Sequence, residues 1–500
     1  MTCRILLRRF CFVQDAAYGT LLREPRRALH ARIAETLEHQ FADLTENQPE
    51  LLARHCTEAG LIGKAADLWG KAGQRSLERS ALVEAVEQLT RALAQIATLP
   101  ATAALRRQQI KLQVALISPL MHVKGYAAPE TKAAVGGARL LIEQAEALGQ
   151  PPEDPLLLFS VLYSFWVANL LAFNSDVLRE LAAKFLTLAE KQGAAIPLMI
   201  GHRLMGTSLM CAGDPAQGRE HYNQALALYD SAEHRPLATR FGQDVGVSIL
   251  SWRLSALWVL GYPEAALADA DHAVKDAREI GQVATLMYGL FHASLSHIFC
   301  GNYAAANTDA DELVALAYEK DTLLWKAFGM LLQGCVLTLT GKASKAVEMI
   351  TLGITAFRST GATLWLPFYL SYLARAHAEL GKFDDAWRCI GEAATAVETT
   401  KERWCEAEVH RVAGEIALKS PKPDAAKAEA YIQRALAVAR TQQAKSWELR
   451  AAMSMARLWC DQSKRDEARD LLAPVYGWFT DGFETLDLKE AKALLDELSA

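Results

Sequence analysis

The sequence predicts an all-α protein, a superhelix of helix–turn–helix repeats, and three observations carry the prediction. Hydrophobic residues make up 51 % of the 500 residues, and much of that share is alanine, the strongest helix former, whose small side chain lets helices approach closely. Only 16 prolines and 30 glycines interrupt the chain. Small residues also recur in one frame at a fixed stride, the mark of a repeat array.

Taken in order, residues 1–45 open with a basic stretch carrying Arg4, Arg8, Arg9, Arg23, Arg26, Arg27 and Arg32. A charged surface explains it more simply than phosphate contact. Arg8 and Arg9 cut short the apolar run that a secretory leader needs. Residues 46–100 hold the first repeats, with Trp69, Gly73, Ala85, Leu89 and Ala92 in frame. Between 101 and 150 the frame lapses into an irregular helical pair, punctuated by Gly125 and Pro129. Residues 151–484 form the main array. It starts with the apolar run PLLLFSVLYSFWVANLLAF, which approaches membrane-span length but contains Ser160, Ser164 and Asn169. A buried helix is the expected outcome there. Residues 485–500 form a capping helix.

Two segments define the frame: LTGKASKAVEMITLGI with Gly341, Ala346, Ile350 and Gly353, and LGKFDDAWRCIGEAA with Gly381, Ala386, Ile390 and Ala393. They lie 40 residues apart, which suggests a six-residue linker added to a unit of about 34. Gly213, Gly218, Tyr222 and Ala225 fit the frame, as do the sets beginning at Gly261 and Gly301 and later ones around Gly414 and Ala456. The pattern resembles the tetratricopeptide repeat (TPR), which implies a right-handed TPR-like α-solenoid. Two antiparallel helices cross closely in each unit, so Gly206, Gly334, Ala374 and Ala456 mark the first helix and Ala266, Ala306, Ala346, Ala386 and Ala468 the second. Gly213, Gly261, Gly301, Gly341 and Gly381 end the first helices in a left-handed turn.

No catalytic constellation emerges. In GCVLTLTGKAS the glycines are spaced wrongly for a phosphate-binding loop and Ala343 follows Lys342. His292 and His297 are five apart, a poor chelating pair, and no Cys/His cluster has zinc spacing. Neither a cofactor nor a metal is therefore expected. A net charge of −5 argues against a nucleic-acid partner, and no membrane association is expected. Nine cysteines without a C-x-x-C pair fit free thiols and a cytoplasmic location.

Several stretches carry a more specific likeness. FVQDAAYGTLLREPRRALHARIAETLE, QPELLARHCTEAGLIGKAADLWGKAGQ, HVKGYAAPE, RFGQDVGV and the closing AKSWELRAAMSMARLWC resemble the C-terminal TPR region of bacterial adenylate/guanylate cyclase–ATPase (signal-transduction ATPase) multidomain proteins. That resemblance implies that residues 1–45 are a remnant of the helical module following an ATPase core. It brings no catalytic residue.

The expected function is a non-catalytic scaffold or sensor module that binds a protein or peptide partner in signal transduction. First helices of such arrays line a groove, where Tyr288, Phe291, Phe328, Phe368 and Arg375 would meet the partner. Replacing Phe291 and Phe368 by Ala is then expected to weaken binding while sparing helicity. Arg240, Gln243 and Asp244 are candidate loop contacts. Two alternatives stand beside this reading: a small-molecule sensor using Trp166, Arg240 and Gln243, and a chain with cyclase or ATPase activity of its own.

Overall fold

The computed structural model describes residues 22–125, 128–149 and 154–499. Arg4, Arg8 and Arg9 of the basic start, residues 12–21 of the N-terminal likeness, and residues 126 and 127 of HVKGYAAPE lie outside the described residues. All regular structure among the described residues is helical. The chain is a TPR-like α-solenoid and divides into two compact units, residues 1–119 with 136–154 and residues 120–135 with 155–500.

The first unit holds α1 (Arg23–Gln40), α2 (Ala42–Asn47), α3 (Pro49–Ala59), α4 (Ile62–Glu78) and α5 (Leu82–Ile96), with the larger parts of α6 (Ala103–Lys124) and α7 (Pro129–Ala147). Small residues set the α4–α5 crossing as the frame implies. Ala85 and Ala92 are fully buried, and a Cβ on Gly73 would sit 2.6 Å from the Leu89 side chain. Trp69 ties α4 to α3 through a hydrogen bond from its Nε1 to Thr57 Oγ1 at 3.0 Å.

The second unit opens with the pairs α8 (Leu156–Leu171) and α9 (Ser175–Gln192), then α10 (Ala195–Cys211) and α11 (Pro215–Ala227). Short helices α12 (Ser231–His234) and α13 (Ala238–Phe241) occupy the irregular stretch, joined by a 3₁₀ turn at Arg235–Leu237. Four pairs follow: α14 (Val245–Val259) and α15 (Pro263–Ile280), α16 (Val283–Cys300) and α17 (Tyr303–Glu319), α18 (Leu323–Leu339) and α19 (Ala343–Ser359), α20 (Leu366–Glu379) and α21 (Phe383–Thr400). The last are α22 (Glu406–Lys419) and α23 (Ala425–Thr441), and α24 (Lys445–Asp461) and α25 (Arg465–Tyr476), capped by α26 (Leu486–Ser499).

Burial separates the two helices of a pair. Second helices bury one stripe, such as Ala266, Ala270, Ala273 and Ala277 of α15. First helices are buried almost all round, including Val247, Leu250, Leu254 and Trp258 of α14. Such a helix must be apolar on every face. This explains why α16 is long and apolar enough to cross a membrane while 83 % of it lies inside the fold. The apolar run in α8 is likewise a core helix.

The stride of 40 residues has two origins. Between Gly301 and Gly341 it comes from two seventeen-residue helices with short turns. Between Gly341 and Gly381 the helices are separated by a longer, turn-rich connection, residues 360–365.

Those connections matter. The amides of Thr363 and Leu364 donate to the Leu171 carbonyl at 2.7 and 3.0 Å, and those of Arg403 and Trp404 to the Cys211 carbonyl at 2.9 and 3.3 Å. Ser446 Oγ donates to the Trp258 carbonyl, and Arg450 Nη2 to the Phe299 carbonyl at 3.0 Å. Early first helices therefore end against the beginnings of first helices several repeats later. Carbonyls that a helix end leaves unpaired are satisfied there. Aromatic rings fill the junction: Trp258 stacks on Phe299 at 4.3 Å and meets Trp447 edge-on at 4.6 Å, while Trp404 lies 5.4 Å from Phe368 and 5.5 Å from Trp365.

Candidate functional site

Winding of the second unit decides where the groove residues lie. Tyr288, Phe291, Phe328 and Phe368 are 8, 3, 4 and 0 % exposed. They face the interior of the array, not an open groove, because the helices that would leave that face free fold back onto it. Phe291 packs on Phe328 at 4.5 Å and on Trp365 at 5.0 Å. Truncating Phe291 and Phe368 to Ala removes core volume and costs about 3–5 kcal/mol each, so these changes strike the fold itself. Arg375 alone of the five is half-buried and lines an accessible hollow.

That hollow, about 130 Å³, lies among α16, α17, α18, α20, α22, α24 and α26. Four arginines contribute to it. Arg411 clasps Glu408 with two bonds of 2.7 Å and also reaches Glu415. Arg450 pairs with Asp487 at 2.7 Å, its guanidinium 4.9 Å from the Trp258 ring centre. Arg457 pairs with Glu490 at 2.8 Å at the exposed mouth. Burial would raise the Glu408 carboxyl, but the adjoining Arg411 outweighs it and holds the group down at about 2. Arg375 has no carboxylate within ion-pair distance among the described residues; its guanidinium lies 6.0 Å from the Tyr372 ring centre. Arg411 takes two carboxylates, which leaves Arg375 as the cation without a direct partner.

A second enclosure lies deeper, lined by Arg203 of α10, Gln243, Trp252 of α14, His292 of α16, Trp325 of α18 and Trp365, among others. Gln243 Nε2 donates to Tyr163 OH at 3.0 Å. Trp325 is steadied by a bond from its Nε1 to His122 Nδ1 at 3.3 Å. Trp365 stands in a left-handed conformation, φ +69°, just before α20. For a bulky side chain that costs on the order of 1–3 kcal/mol. Glu402, fully buried, holds it there: the Trp365 amide donates to both Glu402 oxygens at 2.9 and 3.1 Å, and Trp404 Nε1 donates at 2.8 Å. Burial pushes the Glu402 carboxyl up to about 8 against the pull of these donors.

The remaining loop candidates have structural partners. Asp244 caps α14 by accepting from the Val247 amide at 2.9 Å and receives the Tyr229 hydroxyl, while its own amide donates to Thr285 Oγ1. Arg240 is half-buried on α13. Trp166 is fully buried and donates to Ser208 Oγ at 3.0 Å, apart from the chamber lining. Sequence reasoning passed over Arg203, Trp365 and Glu402. Arg203 had a legible signal, a lone charge in the apolar run IGHRLMGTSLM; the other two had none.

Two histidine pairs, His30 with His55 and His202 with His221, approach to 2.8 and 2.9 Å through their Nδ1 atoms. Among the described residues no cluster of three or more His, Cys, Asp or Glu is placed to hold a metal ion. Cys56, Cys211, Cys300, Cys335, Cys389, Cys405 and Cys460 are free thiols.

No family model matches the chain. In sequence it is similar to an uncharacterized protein of Rhizobium meliloti (strain 1021), 23 % identical over 456 residues, covering 90 % of this chain and 43 % of that protein. The chain thus spans less than half the length of the curated relative it matches. Among solved structures it is similar to a Rap protein complexed with Competence and Sporulation Factor, with a TM-score of 0.52 and 12 % identity over 76 % of this chain and 99 % of that one. Yeast Tom70 aligns over 94 % of this chain and 97 % of its own, with 12 % identity and a TM-score of 0.33. The likeness to the Rap protein is one of fold.

Proposed function

We propose that the chain is a non-catalytic scaffold that docks an acidic segment of a partner protein at the arginine-lined hollow. The observation that carries this reading is Arg375, a cation without a direct carboxylate partner on the wall of an accessible polar cavity. An incoming Asp, Glu or chain-terminal carboxylate forms with it the charge-assisted bond that Arg411, Arg450 and Arg457 already make internally. The solved Rap structure holds Competence and Sporulation Factor on the same fold, which supports a partner-binding role. The stretches that resemble cyclase–ATPase proteins, and a curated relative more than twice the matched length, support a place in the regulatory region of a larger signalling protein.

Fluorescent glutamate-rich and lysine-rich decapeptides, titrated by anisotropy, test the docking site. The acidic peptide is expected to bind, to weaken as salt screens the contact, and to lose at least tenfold in affinity in Arg375→Glu with the circular dichroism unchanged. Equal binding of both peptides, or binding that survives Arg375→Glu, overturns the reading.

A further inference from the structure

The chamber around Arg203 carries an inference that does not involve the hollow. Arg203 is 2 % exposed. Its Nη atoms donate to the hydroxyls of Tyr163 and Tyr288, both at 3.1 Å, and its Nε has no acceptor among the described residues. Burial alone favours loss of its proton, yet a guanidinium in a protein keeps its proton and the two phenol oxygens accept from it, so Arg203 stays charged. Burial raises the Tyr163 phenol as well, which keeps it neutral. Among the described residues Arg203 forms no ion pair with a carboxylate. A buried cation without a counter-charge is costly, several kcal/mol by ordinary measure.

Donors around it outnumber acceptors. Tyr163 OH already accepts from Gln243 as well as Arg203, and Tyr288 OH from Trp252 Nε1 as well as Arg203. Both oxygens have used their two lone pairs. Among the described residues Trp365 Nε1 is buried without an acceptor and His292 Nδ1 without a partner. The His292 and Trp365 rings lie 5.7 Å apart and both line the chamber. Burial, with Arg203 nearby, holds His292 down to about 3, so it is neutral and supplies no competing charge. The chamber therefore lacks one thing, a compact anion able to accept several hydrogen bonds.

The rest of the lining is apolar. Phe291, Leu324, Trp325 and Phe328 form the far side. The free space measures about 40 Å³, so any occupant must be compact. One guanidinium among aromatic rings suits a monoanion with an apolar body better than a phosphate.

We propose that this chamber binds a small monocarboxylate with a compact aromatic or branched body, its carboxylate paired with Arg203 and its body against Phe291, Trp325 and Phe328. The ligand supplies the counter-charge that the fold omits, and by binding only the folded array it raises stability with concentration.

Phenylacetate and 4-methylpentanoate, each beside its primary amide, test this on the full chain by calorimetric titration and thermal melting at neutral pH. Both acids are expected to bind and to raise Tm progressively, with the amides at least tenfold weaker. Arg203→Gln abolishes the preference for acid over amide while the far-ultraviolet circular dichroism is retained. If that variant does not fold, Leu324→Phe, which fills the apolar end, replaces it and must weaken the acids at least tenfold. Acids and amides binding alike, acid binding that survives the folded Arg203→Gln variant or Leu324→Phe, or no acid binding through the millimolar range overturns the proposal. These residues are separate from Arg375, so this failure leaves the docking reading standing.

Discussion

Glu402 shows what a single buried carboxyl does for this fold. Its oxygens accept the Trp365 amide and so hold the left-handed turn that sets the Trp365 ring in the chamber wall. Burial holds its folded pKa at about 8, above the ordinary carboxyl value of 4.5. Between those values the folded protein holds a proton that the unfolded chain has released, so stability falls as pH rises through that window. The slope approaches about 1.4 kcal/mol per pH unit. Relative to Glu402→Gln, the wild-type protein should lose melting temperature between pH 5 and 8 and show no further difference above it. Parallel melting curves across that range would show that Glu402 stays ionised. Nothing in TTKERWCEAE marks Glu402 as buried, since Lys401 and Arg403 beside it suggest a solvated turn. Its burial follows from Trp365 and Cys211, far away in sequence.

Pairing of helices was legible because it depends on residues close in sequence. Gly206 faces Tyr222 and the Gly218 carbonyl, where an added Cβ would stand 2.8 and 3.0 Å away. Gly206→Ala should destabilise by about 1–3 kcal/mol through overpacking, despite alanine's better helix propensity. Gly391 is an exposed helical glycine of α21 with nothing near its missing Cβ. There Gly391→Ala should stabilise by about 0.5–1 kcal/mol. Chemical denaturation of the two variants checks the pair, and a stabilised Gly206→Ala would refute the close crossing. The repeat frame weakens where glycine is replaced. Ser80 ends the turn between α4 and α5, and Ser463 that between α24 and α25, both left-handed at φ 57° and 63°. The turn is conserved in geometry between repeats while its residue changes, so a search for glycine alone passes over it.

At the scale of the second unit, the array departs from a simple stack in which each repeat touches only its neighbours. Bonds from residues 363 and 403 back to Leu171 and Cys211, with the rings of Trp258, Phe299, Trp404 and Trp447 between distant repeats, link early and late helices. Calorimetry should therefore show this unit melting as one transition. Trp404→Ala together with Trp447→Ala, each costing about 3–5 kcal/mol, should split it into two. Stepwise melting of the wild-type protein would show that the seam carries little energy. By itself the sequence determined the helices, their antiparallel pairing and the turns between them, because small side chains at a fixed stride act through contacts only tens of residues apart. Tertiary structure alone decided that the inner aromatics are enclosed, that Arg375 borders an open hollow, and that Arg203 lies buried without an anion. Those outcomes depend on the rotation accumulated over several repeats, and no single repeat contains that sum.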